Sequence, residues 1–273
     1  MFPTAASLYR SWILVTSLTQ CFTLASPIRR DEESLASHDA TGGGFQNGLW
    51  LRIMPLGASI TYGVLSNDGN GYRDFLATQL INNGNPVNMV GSRRNGTMED
   101  NDNEGWPGDI ISEVHDKAIS ATPKYKPNIV LINVGTNDCS GNVSISTAGK
   151  RISSLIDDVY KGSSRTTVIL STLLVRSEKK YQDCVLDVNS QFKTVAATQK
   201  ANGRRLVLVD MQPPAGPTTA ELVDGIHPTS AGYNKMATIW FKGIQAASTA
   251  GFLQEKENIP GNADGVPDRG VYG

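Results

Sequence analysis

The stretch LRIMPLGASITYG, residues 51–63, decides the fold. An apolar run of strand character reaches Pro55, and the chain then passes into Gly57-Ala58-Ser59-Ile60-Thr61-Tyr62-Gly63. LWLRIMPL, residues 49–56, reads as a first buried strand. A serine set among small residues just after such a strand has two readings. Either the turn is merely tight, or the hydroxyl is held out at the end of a sheet.

The chain beyond residue 63 favours a sheet. GYRDFLATQLINNG has Tyr72, Phe75, Leu76 and Leu80 at helical spacing, with a stop at Asn83-Gly84. VNMVG is a second strand, and DIISEVHDKAIS a helix that begins at Asp109 as its cap. NIVLINVG is nearly all apolar, the mark of a strand covered on both faces. TAGKRISSLIDDVYKG is a helix, TTVILSTLLV a fourth strand, DVNSQFKTVAATQKANG a helix, and RLVLVDM a fifth strand. SAGYNKMATIWFKGIQAAS closes the series as an amphipathic helix. Strands alternating with helices predict an α/β three-layer sandwich around a five-stranded parallel sheet. Right-handed crossovers restrict the topology, and the flavodoxin-like order 2-1-3-4-5 is the expectation.

The ends read differently. Arg10 precedes WILVTSLTQCFTLA, and residues 1–25 have the form of a secretory signal peptide. Thr, Ser and Gln interrupt that apolar stretch, and it is short for a membrane span. Arg29-Arg30 forms a candidate dibasic processing site, so residues 26–47 are expected to be a pro-segment and flexible lead-in. The domain is expected over 48–250, and residues 251–273 as a loose tail. The 273 residues carry a formal charge of −1, with 39% hydrophobic and 19% charged residues. That is ordinary globular composition without the basic excess that nucleic acid or an anionic membrane surface would require. The expectation is an extracellular monomer with neither as a partner.

Export changes how cysteines read. Cys21 leaves with the signal; Cys139 and Cys184 remain as a pair in an oxidising compartment. A bridge between them is expected, worth about 4 kcal/mol in the chain-entropy model; the alternative is two buried free thiols. Asn95-Gly96-Thr97 and Asn142-Val143-Ser144 are candidate glycosylation sequons.

In a parallel sheet the loops after all strands share one edge, where ligands bind. Ser59 follows strand one, Gly91 strand two, Asn137 strand three, and Asp224 with His227 strand five. With order 2-1-3, Ser59 lies between Gly91 and Asn137. A serine hydroxyl needs a base to become a nucleophile at neutral pH, and imidazole suits that range. His38 is in the lead-in and His115 is within a helix, which leaves His227 on the rim. Asp224, three residues earlier, can hold Nδ1 so that Nε2 faces Ser59. The backbone N–H groups of Ser59 and Gly91 and the side-chain amide of Asn137 are then candidate oxyanion donors. Taken singly, each has a plain structural reading: a turn serine, a strand-ending glycine, a capping asparagine, a packed histidine. Asp138 is read as structural.

These blocks, GASIT, VGS, GTND and DGIHP, resemble in order those of the SGNH (GDSL-type) hydrolases, over residues 50 to 245. The resemblance implies Ser59, Asp224 and His227 as a triad, with Ser59, Gly91 and Asn137 around the oxyanion. Residue 58 is alanine where the family often has aspartate, which is not the triad acid. Ser59 is not within a Gly-x-Ser-x-Gly elbow, so the chain does not resemble the α/β-hydrolases. LRIMPLGASITYG, GYRDFL, MVGS followed by NEGWPG, and GIHPTSAGYNKMA are similar to carbohydrate esterase family 3, the acetylxylan esterases. That similarity implies deacetylation of xylan or related saccharides, with no cofactor. Lipase, thioesterase and pectin-directed esterase activities share the scaffold, as would a non-catalytic carbohydrate binder.

Trp106 is a candidate platform for a sugar ring, or else a lid residue packed on its own loop. Tyr72 and Arg73 are candidates to shape the site from the first helix. DNDNEG, residues 100–105, mimics half an EF-hand loop, but Ile111 stands where the bidentate glutamate belongs, so no metal site is expected beyond a loose calcium contact.

Overall fold

Leu51–Gly57 forms β1, the hub of the sheet in the computed structural model, which describes residues 43–259. The expected leader (1–25), His38 and residues 260–273 lie outside the described residues. The other strands are β2 (Val87–Met89), β3 (Arg93–Arg94), β4 (Asp102–Gly105), β5 (Ile129–Asn133), β6 (Thr167–Ser171) and β7 (Leu206–Val209). The helices are α1 (Ser59–Tyr62), α2 (Arg73–Asn82), α3 (Ile111–Tyr125), α4 (Thr136–Gly141), α5 (Ala148–Gly162), α6 (Lys179–Ala201) and α7 (Ser230–Thr249).

Parallel pairing runs β2-β1-β5-β6-β7, which is the expected order 2-1-3-4-5. The strand period of two divides the core. Leu51, Ile53, Ile129, Leu131 and Ile169 face α2 and α7, whereas Met54, Leu56, Val130, Ile132, Val168 and Leu170 face α3, α5 and α6. Every residue of β1 is buried, as a central strand requires.

Pro55 does not end β1. In this strand the odd-numbered residues bond toward β2 and β4: Val90 N–H donates to Ile53 O and Trp106 N–H to Gly57 O. β2 pairs with Leu51 to Ile53, and β4 with Leu56 and Gly57. The donor that proline lacks therefore faces the changeover between two partners, where a ladder bond is least missed.

β3 and β4 are two short strands beyond the five expected. They form an antiparallel pair, and β4 also runs parallel to β1. Polar residues form a buried strand here because each finds a partner. Glu104 accepts Ser92 N–H (2.7 Å), Ser92 Oγ–H (2.9 Å) and Trp106 Nε1–H (2.9 Å), and Asp102 accepts Arg94 Nε–H at 2.8 Å. Asp100 accepts Met89 N–H at 2.6 Å. The acids of the EF-hand-like run are thus engaged with the fold's own donors.

Other boundaries shift. α3 starts from Ile110 rather than Asp109; its first N–H groups are met by Glu113, which reaches back to Ile110 N–H, and by Asp138, which accepts Ile111 N–H at 3.0 Å. Tertiary contact supplies the cap that local sequence was expected to give. α3 also continues through Pro123, and α6 begins at Lys179, well before Asp187. Residues 43–47 and 251–259 are docked rather than loose. Phe45 stacks near Phe241 with ring centres 5.3 Å apart, and its backbone exchanges hydrogen bonds with the Asn85 side chain. At the other end Leu253 is buried and Glu257 O accepts Arg52 Nη1–H at 2.8 Å. Among the described residues no helix is long and apolar enough to cross a membrane.

Candidate active site

β1 delivers Ser59 to the C-terminal edge of the sheet. Gly57 is required by contact: a Cβ there would lie 2.2 Å from Asn133 O and 2.4 Å from Thr61 Oγ1. The single turn α1 then starts at Ser59 and closes on Gly63, whose φ of 93° suits glycine.

The loop before α7 delivers the partner. Val223 N–H donates to His227 O at 2.8 Å, and Leu222 bridges Pro228, so the chain doubles back around Gly225. Asp224 Oδ1 accepts the backbone N–H of Ile226 (3.0 Å) and of His227 (2.8 Å), which fixes the carboxylate within its own turn. Asp224 Oδ2 lies 2.8 Å from His227 Nδ1, and His227 Nε2 lies 2.8 Å from Ser59 Oγ. An ionised carboxylate only accepts, so Nδ1 carries the proton and Nε2 is left to accept the serine hydroxyl. Burial raises the Asp224 carboxyl pKa, but the hydrogen bonds from His227 and Ile226 outweigh it and hold it below the usual carboxylate range. The geometry can take a proton from Ser59 during attack on a carbonyl.

Asn137 sits in the first turn of α4, and with Ser59, Ile60, Gly135 and Thr136 it lines a recess of about 10 Å³. Its Nδ2 donates one hydrogen to Asp109 O at 2.8 Å; an amide nitrogen has two, so one remains. Gly91 packs so tightly that a Cβ would lie 2.1 Å from the carbonyl of Asn103. The backbone N–H groups of Ser59 and Gly91 donate to no backbone acceptor among the described residues. Cys139 and Cys184 are joined by a disulfide that fastens α4 to α6. Asp138 is buried, pairs with Arg151 and caps α3, a structural role.

Three expected substrate contacts are placed elsewhere or differently. Tyr72 is fully buried, its ring 5.8 Å from Trp240, and burial pushes its hydroxyl up to about 12. Arg73 is also fully buried and donates to the carbonyls of Asn101, Tyr62, Gly69 and Asn95, where it stitches loops together. Both were expected at the site because they start the first helix; that helix packs them inward. The Trp106 ring is half-buried with Arg93 and Lys117 against it, not an open platform. The Asn95 sequon is likewise corrected: its Nδ2 donates to Tyr62 O and Gly69 O, both at 2.9 Å, bonds that a glycan would break. Asn142 is exposed. His115 pairs with Asp158 at 2.8 Å on the α3–α5 side. Sequence reasoning missed Arg176, which donates from Nη1 to Ser140 Oγ (3.0 Å) and from Nε to Gly225 O (3.3 Å). No spacing in the sequence marks that contact.

The family model for GDSL-like lipase/acylhydrolases matches residues 56–235, which takes in Ser59, Gly91, Asn137, Asp224 and His227. The chain belongs to the GDSL-like lipase/acylhydrolase family. Among its relatives, a multidomain esterase of Ruminococcus flavefaciens is 27% identical over 82% of the chain. The chain spans 32% of that relative's length. Among solved structures, a family 3 carbohydrate esterase of Clostridium thermocellum superposes with a TM-score of 0.65 at 23% identity, covering 73% of this chain and 98% of that one. A family 3 carbohydrate esterase from Talaromyces cellulolyticus gives 0.64 at 22% identity, over 73% and 99%. At such identities these two speak to the fold, an α/β sheet of the SGNH type.

Proposed function

We propose that this protein is a secreted serine esterase that removes acetyl groups from acetylated xylan or related saccharides. The observation that carries the reading is the unbroken chain Asp224–His227–Ser59, with both links at 2.8 Å. Ser59 Oγ attacks the ester carbonyl while its proton passes to His227 Nε2. Asp224 stabilises the imidazolium that results. The oxyanion takes hydrogen bonds from Ser59 N–H, Gly91 N–H and the free hydrogen of Asn137 Nδ2. Collapse breaks the C–O bond to the sugar, whose oxygen takes the proton from His227, and leaves acetyl-Ser59. Water, deprotonated by His227, attacks the acetyl carbonyl, and acetate leaves as Ser59 Oγ takes the proton back from His227.

The acetyl group is supported by the recess beside Ser59, which at about 10 Å³ is near the lower limit for a single water-sized group. The saccharide is supported by the carbohydrate esterases that share this fold. Secretion is supported by the apolar leader at 12–25 and by the Cys139–Cys184 bridge, which suits an oxidising compartment. The test is acetate release from acetylated xylan beside esters of longer acids. Xylan-bound acetate is expected to be released and rates to fall steeply beyond propionyl; equal rates for octanoyl esters would refute the acetyl assignment.

A further inference from the structure

Trp106 is not free to stack on a sugar because two cations hold it. Arg93 Cζ lies 4.6 Å and Lys117 Nζ 4.4 Å from its ring centre, and Arg93 also lies 5.4 Å from the ring centre of Tyr62. The indole is fixed in turn: Nε1–H donates to Glu104, and the backbone N–H donates to Gly57 O at 2.9 Å. The segment that carries the indole packs on the turn that carries Ser59: a Cβ at Gly105 would lie 2.5 Å from the backbone nitrogen of Tyr62. Tyr62 is one turn of α1 beyond Ser59, about 5 Å along the axis. Arg93 is two residues beyond Gly91.

Ring faces hold the two charges in place but leave their N–H groups unused. Among the described residues, neither the Arg93 guanidinium nor the Lys117 ammonium makes a hydrogen bond or an ion pair, and both are half-buried. The neighbouring Arg94 is by contrast paired with Asp102. The nearby acids do not fully occupy the two cations. Glu104 is buried and engages both oxygens with Ser92 and Trp106. Asp109 feels both cations, yet burial and Glu113 push its carboxyl upward more strongly. A neutral hydroxyl gains little from such a pair, whereas a carboxylate gains charge-assisted bonds and fits the guanidinium fork.

We infer that Arg93 and Lys117, held on Trp106 beside Ser59, form a subsite for the carboxylate of a uronic acid. The inference rests on the esterase reading and deepens it: the preferred substrate is an acetylated saccharide in which a uronate neighbours the acetylated sugar. Glucuronate branches on xylan and galacturonate backbones are two sources of that group.

The experiment measures kcat/KM for acetate release by the full chain from three substrates. They are an acetylated xylo-oligosaccharide bearing glucuronate, the same compound with its carboxyl reduced to the alcohol, and an acetylated oligogalacturonide. Replacing neutral with charge-assisted bonding is expected to favour an acidic substrate over the reduced one by roughly tenfold at low salt. Whichever acidic substrate has the larger kcat/KM identifies the source. The preference is expected to shrink several-fold in about 1 M NaCl, and in both Arg93→Gln and Lys117→Gln. Equal kcat/KM for acidic and reduced substrates overturns the subsite, as does a preference that both variants retain. Wild-type hydrolysis of 4-nitrophenyl acetate separates the two failures. Activity there with no acidic preference rejects the subsite alone, and no activity there rejects the esterase reading and the subsite with it.

Discussion

Asn137 Nδ2 donates to the carbonyl oxygen of Asp109 at 2.8 Å, so the turn that precedes α3 holds the amide by one of its two hydrogens. The second hydrogen is then aimed without freedom to rotate away, which is what a preorganised oxyanion donor requires. Asn137→Ala is expected to lower kcat by about 100- to 1,000-fold with little change in KM. Steady-state kinetics on 4-nitrophenyl acetate check this, and an unchanged kcat would remove Asn137 from the site.

Arg176 ties the turn that holds Asp224 to the helix that holds Asn137, through Gly225 O and Ser140 Oγ. It is a positioning residue and does not itself touch the reacting atoms. Arg176→Gln is expected to lower kcat about tenfold, the scale of one displaced hydrogen bond, while KM stays near wild type. Arg176→Lys should restore part of that loss. Arg205 also donates to backbone carbonyls, those of Thr166 and Ser164, but at the opposite end of the sheet. Arg205→Gln should lower thermal stability without the fall in kcat. A fall in kcat of the same size in both variants would reduce Arg176 to a structural role.

Asp100 is buried beside β2, and burial pushes its carboxyl up to about 7. Its pKa is therefore higher folded than unfolded, and the folded chain holds the proton through the interval in which the unfolded chain has lost it. Stability from this group is full below about pH 4 and declines as pH rises toward 7. Asp100→Asn removes that slope. Its melting temperature relative to wild type is expected to rise between pH 4 and pH 8, read by circular dichroism at matched ionic strength. A constant difference across that range would contradict the assignment.

Much of the fold was legible because its signals are local. NIVLINVG and TTVILSTLLV are apolar enough that only strands covered on both faces explain them, and alternation with helices then fixes a parallel sheet. The position of Ser59, Gly91, Asn137, Asp224 and His227 after strand ends was legible because a parallel sheet sends every strand end to one rim. What escaped depends on partners far away in the chain. β4 is written in polar residues, and only Ser92, Trp106 and Arg94 make its burial tolerable. The cap of α3 comes from Asp138, not from the adjacent Asp109. Tyr72 and Arg73 stand close to Ser59 in sequence, but α2 turns both inward, a direction that the helix pattern alone did not fix. Pro55 reads as a stop until the exchange of β2 for β4 along one edge of β1 is seen.

The most direct measurement is to react the protein with a serine-directed fluorophosphonate and map the adduct by peptide mass spectrometry. One adduct is expected, on Ser59, formed at a rate that falls by about 1,000-fold or more in His227→Ala. Labelling at a different serine, or equal labelling of Ser59 with and without His227, would contradict it.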